Sequence, residues 1–259
     1  MPASPEKMMK IRKGFRAAAV LVTAGALSLG LTGCTKYDTT APSTVRKTDA
    51  GAKFGTVDCR KAKCVALTFD AGPSENTPRL LDILKEKKVP ATFFLLGKNH
   101  VMKHPDLVKR MAREGHELGS HTWDHKILTD ISDDQIRQEL KRTDDAIEKL
   151  TGKRPTLMRP PQGRTNDHVS KLAKQEGLAQ ILWDVTSKDY KEPPARTIRE
   201  RTLKQTHRDS IILLHDLYKN TVPAVPGIID ALKAKGYVFV TVPQLLAPGK
   251  AEPGKIYKP

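Results

Sequence analysis

Seven short apolar runs, each closing on polar or turn-forming residues, alternate with amphipathic stretches between residues 65 and 242. The runs are Val65–Phe69, Ala91–Gly97, His116–Ser120, Thr156–Arg159, Leu178–Val185, Ser210–Leu214 and Tyr237–Val242. Runs of this length bounded by turn residues read as buried strands. The segments between them read as helices: Thr77–Lys88, Pro105–Glu114, Ser132–Leu150, Asn166–Glu176, Pro194–Thr206 and Pro223–Lys235. Strands joined by helices predict an α/β fold with a parallel sheet. Polar residues follow several of the strands rather than clustering after one. That favours a closed or nearly closed barrel, whose strand ends share one face, over an open doubly wound sheet with a single switch point. No phosphate-cradling glycine loop supports the open alternative.

The N-terminus reads as an address. Lys7, Lys10, Arg12, Lys13 and Arg16 precede an apolar run from Ala17 to Leu31 that is too short for a spanning helix of ~20 residues. It closes on Leu31-Thr32-Gly33-Cys34, which resembles the lipobox of bacterial lipoproteins. That resemblance implies cleavage before Cys34, a lipid on its sulfur, and a protein anchored to the membrane outside the cytoplasm. The alternatives are an uncleaved anchor or an ordinary signal peptide, with Cys34 incidental. Residues 34–56 are polar and aperiodic and predict a flexible tether. Residues 57–248 then supply one folded domain, and 249–259 a basic tail with no task beyond solvation or attraction to the wall. Cys59 and Cys64 remain as a pair, most simply a disulfide in an oxidising compartment. A zinc site is the rival, but no second pair accompanies them.

The formal net charge is +16, and +12 without residues 1–33. A basic surface favours polyanions. An exported chain meets acidic wall polymer first, and the lysines lack the aromatic interleaving of a single-strand binder, so nucleic acid is not expected. A solvated monomer surface explains the charge equally well.

Five strand-end segments carry candidate chemistry. Thr68-Phe69-Asp70-Ala71-Gly72-Pro73 places a carboxylate at the rim of the first strand, where a turn-capping aspartate would look the same. His121-Thr122-Trp123-Asp124-His125 has histidines four apart, which share a face and can bind one metal if the segment makes a helical turn. Arg159-Pro160-Pro161-Gln162-Gly163 fixes an unusual backbone from which a guanidinium can orient a carboxylate and Gln162 can donate to an oxyanion. Trp183-Asp184-Val185-Thr186-Ser187-Lys188-Asp189-Tyr190 offers two acids among aromatics that suit a substrate wall. Leu213-Leu214-His215-Asp216 puts a general-acid candidate beside an acid that can fix its tautomer. Taken singly, each is equally a surface turn or a satisfied edge residue.

In this order and spacing the five segments resemble the polysaccharide deacetylase family, also called the NodB homology domain or carbohydrate esterase family four. The resemblance covers about residues 60–245. It implies a distorted (β/α)7–8 barrel that hydrolyses N-acetyl or O-acetyl groups of peptidoglycan or another N-acetylglucosamine polymer. By resemblance Asp70 is the general base, His121 and His125 bind a divalent metal (usually Zn²⁺), and Arg159 holds the base. Gln162 faces the oxyanion, His215 protonates the leaving amine with Asp189 orienting it, and Leu213 and Tyr190 wall the acetyl-methyl pocket.

One departure bears on mechanism. The family motif is T-F-D-D-G-P, with the second aspartate as third metal ligand, and here that position is Ala71. A methyl group cannot ligate, so a weakened two-histidine site is expected, with Asp70 or Asp124 as the acids that could shift towards the ion. Tyr190 for the usual tryptophan and Thr186 where aspartate is common are milder departures. Two functions follow: a lipid-anchored, metal-dependent deacetylase, or a non-catalytic wall-binding lipoprotein on the same scaffold.

Overall fold

The computed structural model describes residues 37–47 and 57–259, all within the compact unit Thr35–Pro259. The expected signal segment, Cys34 and residues 48–56 lie outside the described residues. A short helix α1 (Pro42–Val45) precedes β1 (Lys63–Asp70), α2 (Thr77–Glu86), β2 (Thr92–Leu95), α3 (Pro105–Arg113) and β3 (Glu117–Ser120). Next come α4 (Asp133–Thr151), β4 (Leu157–Met158), α5 (Asp167–Gln175), β5 (Ala179–Ile181), β6 (Val185–Thr186) and α6 (Ala195–Gln205). The chain ends with β7 (Ile211–His215), α7 (Thr221–Ala234), β8 (Tyr237–Val240), α8 (Val242–Leu246) and β9 (Ile256–Tyr257).

All strand pairings are parallel, in the order β6-β7-β1-β2-β3-β4-β5-β9, with β8 on the first half of β1. β5 and β6 are nearly at opposite ends of that order, yet only residues 182–184 separate them in sequence. The four Cα steps from Ile181 to Val185 span at most ~15 Å, so the sheet curls until its ends almost meet. The result is a distorted (β/α) barrel. β1 is its longest strand: every residue from Cys64 to Asp70 is buried, and the strand is flanked by β2, β7 and β8. In register, Asp70 lies beside Phe94 and His215, so both sequence-distant strand ends open on one face.

Helix starts follow local chemistry. Ser132 caps α4 in a reciprocal capping box with Gln135, and Asn166 caps α5 through Val169 N–H. The helices then lay apolar side chains on the sheet; Leu80, Leu81 and Leu84 of α2 are fully buried with Val108 and Met111 of α3.

The structure corrects three expectations. The single run Leu178–Val185 is two strands, β5 and β6, because Asp184 turns away. Its carboxylate accepts from Ser210 Oγ and Ile211 N–H, both at 2.7 Å, and so joins β6 to the start of β7. The basic tail is not a solvated appendage. β9 pairs with β5, and Tyr257 is 1% exposed with its hydroxyl accepting from Glu252 N–H at 2.8 Å. Nor are residues 37–47 a free tether. Thr40 N–H donates to Ile256 O at 2.8 Å, Val45 packs in the core, and the buried Arg46 reaches Leu245 O and Asp209. The N-terminal segment and the tail therefore close the same edge of the barrel. Tyr257→Ala is expected to cost about 3–5 kcal/mol, as removal of a buried aromatic does, read as a lowered urea midpoint.

Cys59 and Cys64 are joined as a disulfide with a Cα–Cα distance of 5.5 Å, at the entrance to β1.

Candidate active site

At the C-terminal ends of the strands lies a cleft of about 600 Å³. Asp70, His121, His125, Gln162, Trp183, Tyr190, Leu213 and His215, all singled out in the sequence, line it. Arg159 and Asp189 stand directly behind its wall, both completely buried.

Asp70 ends β1 and is 2% exposed. Its Oδ1 accepts from the Arg159 guanidinium at 2.7 Å, and its Oδ2 is 3.9 Å from His121 Nε2. Arg159 is held on every side: Nε donates to Ile181 O at 2.9 Å, one terminal nitrogen also reaches Thr68 Oγ1 at 2.7 Å, and the plane lies 4.2 Å from the Phe94 ring centroid. A guanidinium this fixed leaves Asp70 one oxygen committed and the other facing the cleft.

His121 Nδ1 lies 2.8 Å from Arg159 O. A carbonyl oxygen only accepts, so Nδ1 carries the proton and Nε2 presents its lone pair towards Asp70 and the cleft. Burial pushes the His121 pKa down to about 4, so the ring is neutral and able to ligate at neutral pH. His125 sits at the rim, its ring centroid 5.0 Å from that of His121. No helical turn brings the pair together, contrary to expectation. Thr122 (φ 73°) and His125 (φ 57°) adopt left-handed backbone, and the His125 N–H donates to Thr122 Oγ1 at 3.1 Å.

Across the cleft His215 ends β7. Asp189 Oδ1 is 2.9 Å from His215 Nδ1, while Oδ2 accepts from His215 N–H at 2.7 Å and Thr221 Oγ1 at 2.9 Å. Burial alone would depress the His215 pKa, but the hydrogen bond and charge of Asp189 outweigh it and hold the pKa above its ordinary value. The imidazolium is therefore favoured in the fold. Its stabilising contribution is complete below ~6.5 and is lost as pH rises through the raised pKa. In Asp189→Asn the burial remains and the support goes, so the alkaline limb of any activity profile that needs protonated His215 should move to lower pH. A pH–rate series with both proteins reads this directly.

Other expected residues fall elsewhere. Asp124 is exposed and paired with Lys98 Nζ at 2.7 Å, outside the cleft. Asp216 does not orient His215; it is buried against Thr77 and the turn at Gly72, where a Cβ would lie 2.5 Å from its Oδ1. Asp184 is the strand-joining residue described above. Gln162 has left-handed backbone (φ 57°) in the turn Pro161–Gly163, and Gly163 follows at φ 67°, where a side chain would press on the Trp183 ring at 3.0 Å. Leu96, Leu217 and Tyr218 also line the cleft and were not expected. Tyr218 lies edge-on to His215 at 5.5 Å between centroids, and its position three residues after His215 was the available signal.

The donor set decides what metal could be held. Two neutral imidazoles beside a carboxylate suit a divalent ion of the zinc type. Ala71, 6% exposed and lining the cleft, supplies no donor, and no cluster of three or more ligating side chains exists among the described residues. The residues thus fit an ion held by His121 and His125 with open positions, not a three-ligand site.

The polysaccharide deacetylase family model matches residues 58–181. The chain is 42% identical over 194 residues to a peptidoglycan-N-acetylmuramic acid deacetylase of Bacillus subtilis, across 74% of this chain and 40% of that protein. It thus spans about two fifths of that relative's length. A solved structure described as T48 deacetylase with substrate superposes with a TM-score of 0.75 at 44% identity, covering 78% of this chain and all of the other. A protein of Bacillus anthracis described as a pseudoenzyme of carbohydrate esterase family 4 superposes with a TM-score of 0.69 at 30% identity, covering 76% and 70% of the two chains. The barrel, the five strand-end segments and these likenesses agree: the chain belongs to the polysaccharide deacetylase family.

Proposed function

We propose that the protein is a cell-envelope deacetylase that hydrolyses the N-acetyl group of an amino sugar in peptidoglycan, with a divalent metal, most simply Zn²⁺, held by His121 and His125. The observation that carries this reading is the pairing of two polar dyads across one cleft: Asp70 with Arg159, and His215 with Asp189. The metal, when bound, supplies Lewis acidity that brings the pKa of water towards ~7 and polarises the acetyl carbonyl.

The chain's own residues do the rest. Asp70 Oδ2, left free by the Arg159 bond to Oδ1, takes the proton of the attacking water. Gln162 N–H faces the carbonyl oxygen as negative charge develops there. The water oxygen becomes part of acetate, the carbon–nitrogen bond breaks, and His215 Nε2 gives its proton to the departing amine. Asp189 on Nδ1 keeps that proton on the correct nitrogen. Leu213, Tyr190 and Trp183 enclose the acetyl methyl group and exclude bulkier acyl chains.

The basic surface suits an acidic wall polymer, and the Cys34 motif suits a lipid anchor on the outer face of the cell membrane. The protein acts there as a monomer, with no nucleic-acid partner. Ala71 favours a second reading, a non-catalytic wall binder, and the pseudoenzyme among its structural relatives keeps that reading specific. The presence of both dyads weighs against it, since a buried Arg159 holding Asp70 and a buried Asp189 holding His215 suit proton transfer. The test is incubation of N-acetylated peptidoglycan strands with the protein and zinc or cobalt, scoring free amine on each amino sugar. Equal appearance of amine and acetate supports hydrolysis, and none under any metal refutes it.

A further inference from the structure

We infer that Glu139, on α4, is the positioning residue that sets the spacing of His121 and His125; the inference rests on the reading of those two histidines as metal ligands. His121 is fixed from outside its own loop by Arg159 O. His125 has no such tie, and its place is decided by the loop Thr122–His125. That loop contains two non-glycine residues in left-handed backbone, Thr122 and His125, a conformation that persists only where the surroundings impose it.

The surroundings do so from two sides. The carbonyls of Thr122 and Trp123 accept from Gly97 N–H at 3.1 Å and Lys98 N–H at 2.9 Å. On the other side, the successive amides of Trp123 and Asp124 converge on a single oxygen, Glu139 Oε2, at 2.9 and 2.7 Å. Two consecutive N–H groups beside a left-handed residue form a concavity for an anion, and here the anion is a side chain of the same molecule. Glu139 is 4% exposed, which is rare for a glutamate unless every oxygen is used. Its other oxygen lies 3.6 Å from Lys126 Nζ, and its own carbonyl accepts from Thr143 Oγ1 at 3.1 Å. The carboxylate is thus rigid and committed to the loop. It lies outside the cleft; its charge reaches His125 directly, and it sets that ring's position through the backbone between the two imidazoles.

The test uses the intact chain with Glu139→Leu and Glu139→Gln, and reads two quantities besides activity: cobalt(II) binding by its visible spectrum, and the imidazole-to-imidazole NOE in metal-free protein. Glu139→Leu should weaken cobalt binding about 10–100-fold, the usual loss when an outer partner of a metal ligand is removed, with an altered spectrum and loss of the NOE. Glu139→Gln keeps an oxygen for both amides but loses the charge, so it should keep the wild-type spectrum and NOE and bind cobalt far more tightly than Glu139→Leu does. Wild-type values of all three in Glu139→Leu would overturn the inference, even if its melting temperature falls. If Glu139→Leu does not fold, Glu139→Asp, whose carboxylate is drawn back by one methylene, should show a partial loss of all three, and unchanged values there would overturn it. Should wild-type protein bind no cobalt, the metal reading fails, and the NOE alone decides whether Glu139 sets the imidazole spacing.

Discussion

Ala71→Asp is expected to raise zinc affinity by more than the 10–100-fold that outer partners of a metal site contribute, because it adds a direct ligand. Catalytic zinc sites use three protein ligands and keep one position open, and this chain offers two imidazoles. Residue 71 is well placed to supply the third. It follows Asp70 at the end of β1, lines the same cleft as His121 and His125, and is anchored by its N–H to Phe94 O at 3.0 Å. Its backbone is left-handed, with φ 64°, a region where aspartate is among the better-tolerated residues. The substitution therefore adds a donor without asking the turn to move. Calorimetric titration with zinc, wild type against variant, checks it. Equal affinities would mean that the side chain at position 71 does not reach the ion.

The second large effect is expected at Asp70. Asp70→Asn should lower kcat by about 10²–10⁴-fold, the range for loss of a general base, with little change in KM, since Asp70 acts on water rather than on sugar. The substitution also leaves Arg159 without its counter-charge in a fully buried position. Breaking a buried pair in this way costs about 3–5 kcal/mol. The Thr68, Ile181 and Phe94 contacts of Arg159 persist, and the new amide oxygen still accepts, so the lower end of that range is expected. Activity measured well below the variant's melting temperature separates the two losses. A variant with normal kcat would remove Asp70 from the chemistry altogether.

How much of this was readable beforehand depends on how local the cause is. β1 and β7 are apolar runs ending in Asp70 and His215, and their side-by-side register follows from burial that both strands need. Asp70, His121 and His215 are legible because each directly follows such a run, whereas His125, Gln162 and Tyr190 lie further along the strand-end loops and rest on the family resemblance. Asp189 as the partner of His215 came from the family resemblance, since Asp216 is adjacent in sequence and looks the better candidate. Only the fold shows Asp216 turned towards Thr77. The edge of the barrel was not legible. Residues 37–47 and 249–259 are polar and aperiodic, and Val45, Arg46, Ile256 and Tyr257 are too few to give a period, yet their burial holds both segments in place. The histidine loop misled for a related reason. A spacing of four suggests a helical turn, whereas the rings meet through left-handed Thr122 and His125, a conformation these residue types do not announce. Glu139, fourteen residues beyond His125 on a charged helix, reads as solvent-facing until the loop folds over it.

Metal-dependent hydrolysis by this protein stands or falls on acetate release by the wild type from N-acetylated glycan oligomers across a zinc or cobalt titration, with a chelator control and Ala71→Asp alongside. It predicts release that saturates with metal, is abolished by chelator, and reaches half-maximum at a lower metal concentration in Ala71→Asp. Silence of the wild type under every metal, with release only from Ala71→Asp, would contradict it and mark the protein as a wall binder on a deacetylase scaffold.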